Sequence, residues 1–180
     1  MKKLLALILL ISLTSFTCDT CKLTKRECIV KFMEGEVGVR EQGGNNIGER
    51  VEFYQKEAGA PPKTAWCASI LSACLKHCGI PQQFSAWSPS VTAKKRIYDR
   101  RYPNNNVITP QAGDFGSLYY PNLKRIGHVF MVYKWSSKWI ETIEGNTSEM
   151  DTRETSTGRD GVFKKKRLKA SIYQVSRYWN

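Results

Sequence analysis

The chain has 180 residues, of which 28 are Lys or Arg and 16 are Asp or Glu, giving a formal charge of +12 with 41% hydrophobic positions. This composition suits one globular domain and excludes a disordered, collagenous or multidomain chain. A pI near 9.5 favours polyanionic partners such as nucleic acid, anionic lipid or an acidic cell-wall polymer.

At the N-terminus, Lys2 and Lys3 precede an apolar run over 4–13, and the small polar residues Thr14, Ser15 and Thr17 follow. These three parts match a secretory signal peptide over 1–17, and the run is shorter than the ~20 apolar residues of a membrane span. The expected localisation is secreted or periplasmic. Thr17-Cys18 also has the position of a lipoprotein junction, with Cys18 acylated, but Phe16 and Thr17 fit that pattern poorly, and plain cleavage is preferred.

The segment over 18–29 carries Cys18, Cys21 and Cys28, whereas Cys67, Cys74 and Cys78 share one predicted helix. Their offsets of seven and eleven bring all three onto nearly one stripe, so Cys74 and Cys78 read as small core residues rather than disulfide partners. A zinc cluster of Cys67, Cys74, His77 and Cys78 is set aside, because ligands spread over three turns cannot close a tetrahedron around one ion.

A globular domain is expected over 30–180. A helix is predicted over 29–37, and Gly43-Gly44-Asn45-Asn46 breaks it. Ile47, Val51, Tyr54 and Ala58 recur at helical spacing, so 47–58 is an amphipathic helix ended by Gly59 and Pro61. The next helix opens near Ala65, with Thr64 as N-cap, and stops at Gly79. A shorter one runs over 89–96, with Ser88 as cap and Pro89 at its first position. Strands follow over 115–120, 128–135, 139–143, 162–167 and 172–178, rich in β-branched and aromatic residues. Helices first and strands afterwards predict an α+β fold with a mainly antiparallel sheet of five to six strands.

The chain has only two histidines, so a His-dependent mechanism is decided by elimination. His77 lies ten residues after Cys67 on the same helix, about 15 Å along its axis, and suits a cation at a helix C-terminus. His128 remains, at the expected start of an apolar strand. Cys67 sits at a helix start, where the positive end of the helix lowers a thiol's pKa and supplies a backbone N–H for an oxyanion. An imidazole base needs a polar partner, and Glu144 or Asn146 can lie beside His128 across the sheet. No metal or organic cofactor is required. Gly113-Asp114 reads as a turn into the sheet. Trp66, Trp87, Tyr119 and Tyr120 are available to line a groove, with core packing expected for at least half of them.

Gly38-Val39-Arg40-Glu41, Gly43-Gly44-Asn45-Asn46, Thr64-Ala65-Trp66-Cys67-Ala68, Gly113-Asp114-Phe115, Gly127-His128-Val129 and Glu144-Gly145-Asn146, taken together in order, resemble the CHAP family. These are papain-like cysteine, histidine-dependent amidohydrolases or peptidases that cleave peptidoglycan. The resemblance covers roughly 30–180. It implies a papain-like fold, Cys67 as nucleophile, His128 as base and orienting groups at Glu144 and Asn146. No Gln stands just before Cys67 as in papain-type sites, which leaves the second oxyanion donor unassigned among Gln42, Asn45 and Asn46.

The function expected from this pattern is a secreted amidase or endopeptidase acting on peptidoglycan as a monomer. The run Lys164-Lys165-Lys166-Arg167 is equally a contact for an anionic wall polymer or lipid and a solvated strand edge; nucleic acid is not an expected partner. Two other readings are kept. One is a lysozyme-like glycosidase using Glu36 and Glu52, and the other is a basic cell-wall-binding module without catalysis.

Overall fold

The computed structural model describes residues 23–149 and 160–180. The expected signal peptide, Cys18 and Cys21 lie outside the described residues. In chain order the elements are α1 (Lys25–Gly35), α2 (Glu49–Glu57), α3 (Cys67–His77), α4 (Ser88–Val91), β1 (Arg96–Asp99), β2 (Phe115–Tyr120), β3 (Arg125–Lys134), β4 (Trp139–Thr147), β5 (Gly161–Leu168) and β6 (Ile172–Ser176). The six strands form one antiparallel sheet in the order β1-β6-β2-β3-β4-β5. The fold is therefore α+β, with its helices preceding an open antiparallel sheet. Among the described residues no helix is long and apolar enough to cross a membrane.

Helix α3 organises the core because it has almost no polar face: every residue from Cys67 to Leu75 is buried. Ile70 and Leu71 join Val129, Met131 and Ile143 of the sheet in the larger apolar cluster. Burial of each such side chain contributes roughly 1.5–3 kcal/mol. Side chains alternate along a strand, so Phe130, Val132 and Ile140 enter a second cluster with Leu118, Ile172 and Val175.

Several expected boundaries move. Helix α1 starts at Lys25, before the expected 29, because Thr24 and Glu27 form a capping box; its first turn thus falls inside the segment assigned to 18–29. Thr64 does not cap α3. Its hydroxyl donates to the Pro61 carbonyl at 2.7 Å, and the helix opens at Cys67 with Trp66 as N-cap. The helix expected over 89–96 is a single turn containing Ser88, and Lys95, at φ +50, breaks the chain away. Arg96–Asp99 is instead an edge strand paired with β6, hidden in the sequence by its flanking Lys and Arg residues.

The cysteine expectation is half corrected. Cys74 is buried and its thiol meets the Ile29 carbonyl at 3.7 Å. Cys78 is not a core residue of the helix: it is the C-cap, and it forms a disulfide with Cys28, 50 positions away, tying α1 to the end of α3.

Candidate active site

Cys67 begins α3, so its sulfur lies at the end of the helix where unsatisfied N–H groups concentrate positive potential. The preceding turn is fixed from behind. The Trp66 indole N–H donates to Glu41 Oε1 at 2.9 Å, and its ring stacks on Tyr54 with centroids 5.6 Å apart. Tyr54 in turn donates its hydroxyl to Glu36, which Arg50 also grips. These contacts hold the residue next to Cys67 in place. They also show that Trp66, at 0% exposure, lines no groove.

His128 is inside β3 rather than at its start. Its pairing with Leu118 is followed by Tyr119 with Ile126, so Gly127 is an extra residue in the register. Such a bulge re-aims the neighbouring side chain. A Cβ at Gly127 would fall 2.2 Å from the Tyr120 ring, which explains why glycine stands there. The redirected imidazole reaches two partners. Its Nε2 lies 2.9 Å from Glu144 Oε2, and the ring is near enough to the Cys67 sulfur for each group to shift the other's protonation.

Glu144 is fully buried in β4. Ile143 enters the helix-side core and Glu144 the opposite sheet face, where Arg167 of β5 donates Nε–H to Oε1 at 2.9 Å and Nη2–H to Oε2 at 2.7 Å. The Thr142 hydroxyl adds a third donor. A planar guanidinium matches a carboxylate through two parallel hydrogen bonds, so Glu144 is fixed before it meets the imidazole.

Asn146 occupies a different place from the one anticipated. The β4–β5 register slips between Glu144 and Thr147, and Asn146 adopts φ +57. Its Oδ1 then accepts the Trp66 backbone N–H at 2.9 Å, while Nδ2 donates to Asn46 Oδ1 at 3.2 Å and Asp160 Oδ2 at 3.3 Å. Among the described residues its hydrogen bonds thus run to Trp66, Asn46 and Asp160 and not to His128. Gly145 lets α3 approach: a Cβ there would lie 2.7 Å from the Trp66 ring and 2.9 Å from Ile70. Glu144-Gly145-Asn146 thus does three jobs, namely holding the imidazole, admitting the helix and satisfying its first turn.

Electrostatics follow from this geometry. Burial opposes charge on Cys67, but the His128 hydrogen bond and charge, the Ser88 hydroxyl at 3.4 Å and the Val129 N–H outweigh it and hold the thiol below its ordinary range. Burial likewise disfavours the imidazolium, yet Cys67 and Glu144 together raise His128. Glu144 is lowered despite its burial by Arg167 and His128. Cys74, on the same helix without these partners, is pushed up by burial. Of the two free thiols among the described residues, Cys67 is lowered and Cys74 raised, so Cys67 is the one favoured as a thiolate.

Of the suggested oxyanion donors, Asn46 is linked to the site through Asn146, while Gln42 and Asn45 are exposed side chains. Among the described residues no group of His, Cys, Asp and Glu is placed to hold a metal ion.

No family model, no curated protein and no solved structure matches this chain.

Sequence reasoning missed Arg167 and Ser88. Arg167 belongs to the basic run that reads equally as a wall-polymer or lipid contact and as a solvated strand edge; along β5, however, Lys164 and Lys166 are exposed while Lys165 is buried and donates to the carbonyls of Ser148 and Glu149. The alternation of a strand carried that signal. Asp114 does more than turn the chain: Arg177 and the Trp179 indole both donate to its buried carboxylate, which anchors the segment after β6. Glu36 is committed to Arg50 and Tyr54, and Glu52 is an exposed residue of α2. A carboxylate held ionised in an ion pair is unsuited to be the protonated acid of a glycosidase.

Proposed function

We propose that this chain is a cysteine amidohydrolase or endopeptidase that cleaves amide bonds of peptidoglycan in a secreted or periplasmic setting. The observation that carries the reading is the buried series Cys67, His128, Glu144, in which a lowered thiol is coupled to a raised imidazole that Glu144 holds at 2.9 Å. The Cys67 thiolate attacks the amide carbonyl, and the His128 imidazolium gives its proton to the leaving amine. Water then hydrolyses the thioester, with neutral His128 taking the water proton and the thiolate departing. Glu144 keeps the ring oriented and stabilises its charged form.

The choice of substrate rests on the resemblance to CHAP proteins, the export-type leader and the excess of positive charge. The Cys28–Cys78 disulfide supports an oxidising compartment. The papain-like assignment rests on the same resemblance together with a nucleophile at a helix start facing an antiparallel sheet.

The test is release of free amines from purified sacculi. Wild type releases them, and Cys67→Ala, with an unchanged unfolding transition, does not. Amine release by Cys67→Ala at the wild-type rate removes the nucleophile assignment, and release of reducing ends instead of amines points to a glycosidase.

A further inference from the structure

Among the described residues, the buried Ser88 hydroxyl has one hydrogen-bond contact, and it is with the sulfur proposed to react. It lies 3.4 Å from Cys67 Sγ, and the residue is 8% exposed. Ser88 was expected to cap a helix, but it stands inside α4 and makes no capping bond, as the cap position belongs to Trp87. A buried hydroxyl retains one proton to donate. With the sulfur held as a thiolate, the Ser88 O–H is a donor to it.

Its platform is stiff. The Ser90 hydroxyl donates to the Trp87 carbonyl at 2.6 Å and accepts the Ser85 N–H at 3.1 Å, while the Trp87 N–H bonds the Ser85 hydroxyl at 3.2 Å. Val91 and Thr92, which follow, are buried. The hydroxyl is therefore held against the sulfur by a loop with its own internal hydrogen bonds.

Resting on the cysteine-nucleophile reading, we propose that Ser88 is a further catalytic residue, a transferable donor that bonds the Cys67 thiolate at rest and the substrate oxyanion during attack. The sulfur lone pair forms the new S–C bond while the C=O π pair moves onto oxygen. Charge leaves the sulfur and appears on an atom about 2.7 Å from it, within a small rotation of the Ser88 O–H. The Cys67 backbone N–H at the start of α3 is the companion donor. When the intermediate collapses, the oxygen pair re-forms C=O, the C–N bond breaks, the amine takes the His128 proton, and the Ser88 O–H returns to sulfur after the thioester is hydrolysed. A donor that follows the charge stabilises both states and exchanges one bond for another.

The experiment uses two substrate-independent readouts on the full chain. The first is the pH midpoint of Cys67 alkylation by iodoacetamide, located by mass spectrometry. The second is protection of Cys67 from alkylation by the aldehyde acetyl-glycinal, whose thiohemiacetal oxygen occupies the oxyanion position. Ser88→Ala is expected to move the midpoint to higher pH and to weaken aldehyde protection by about tenfold or more. Ser88→Thr against Ser88→Val repeats the comparison at constant shape, so that a packing defect in Ser88→Ala does not decide the outcome. An unshifted midpoint, or aldehyde protection equal in the hydroxyl and non-hydroxyl variants, overturns the assignment to Ser88. A wild-type chain that aldehyde does not protect at all overturns the nucleophile reading instead, and that failure is visible in the parent protein.

Discussion

Arg167 grips Glu144 through both carboxylate oxygens, at 2.9 and 2.7 Å, from the strand next to it in the sheet. Glu144 is fully buried and Arg167 partly so, so the negative charge facing His128 is fixed in place and sign. Removing one partner of such a pair leaves a buried charge without compensation, which costs about 3–5 kcal/mol. Arg167→Ala is expected to lower stability by that order in urea unfolding, and Arg167→Lys to recover only part, since an ammonium cannot make the two-point contact.

Glu144→Gln keeps the shape but removes the charge that raises His128. The imidazolium becomes less basic, its support for the thiolate weakens, and the alkylation midpoint of Cys67 moves to higher pH. Amine release from sacculi is expected to fall by about 10²–10⁴-fold. An unchanged midpoint would mean that Glu144 does not act on the nucleophile through the ring.

The ion pair also predicts how stability follows pH. His128 is raised above its unfolded value of 6.5, so its contribution is complete below that value and is lost as pH rises through the folded value, about 10. Cys67 is lowered from 9.0, so its contribution is complete above 9.0 and is lost as pH falls through the folded value. Between 6.5 and 9.0 the two changes oppose each other, so stability is flat wherever the pair is charged in the folded chain and neutral in the unfolded one. Urea unfolding against pH should show this flat region in the wild type, and Cys67→Ala should lose it, leaving the decline assigned to His128, still raised by Glu144, unopposed above 6.5.

Asn146 is expected to act on the helix, not on the imidazole. Asn146→Gly suits the positive φ and removes only the side chain, leaving the Trp66 N–H without its acceptor. A loss of about 1–2 kcal/mol in stability is expected, comparable to losing a helix cap, with the His128 titration measured by NMR unchanged. A shifted titration would place Asn146 in the relay.

Cys28–Cys78 closes a loop across 50 positions, for which the chain-entropy estimate is up to about 4 kcal/mol. The double replacement by Ala should lower the unfolding transition accordingly while leaving Cys67 alkylation intact, because the bridge lies at the opposite end of α3 from the nucleophile.

The layout of helices before an antiparallel sheet was legible in the sequence, because amphipathic spacing and strand alternation are local consequences of burying one face. So was the choice of Cys67 and His128, since a helix start lowers a thiol and only two histidines exist. Tertiary structure alone decided what depends on register and on partners distant in the chain. The bulge at Gly127 aims the imidazole, and the slip at Gly145 turns Asn146 toward α3. The pairing of β4 with β5 brings Arg167 onto Glu144, and the turn before α4 brings Ser88 onto the sulfur. Cys28 meets Cys78 for the same reason: a disulfide or a buried ion pair joins residues whose separation along the chain carries no periodicity, and only the folded packing sets their distance.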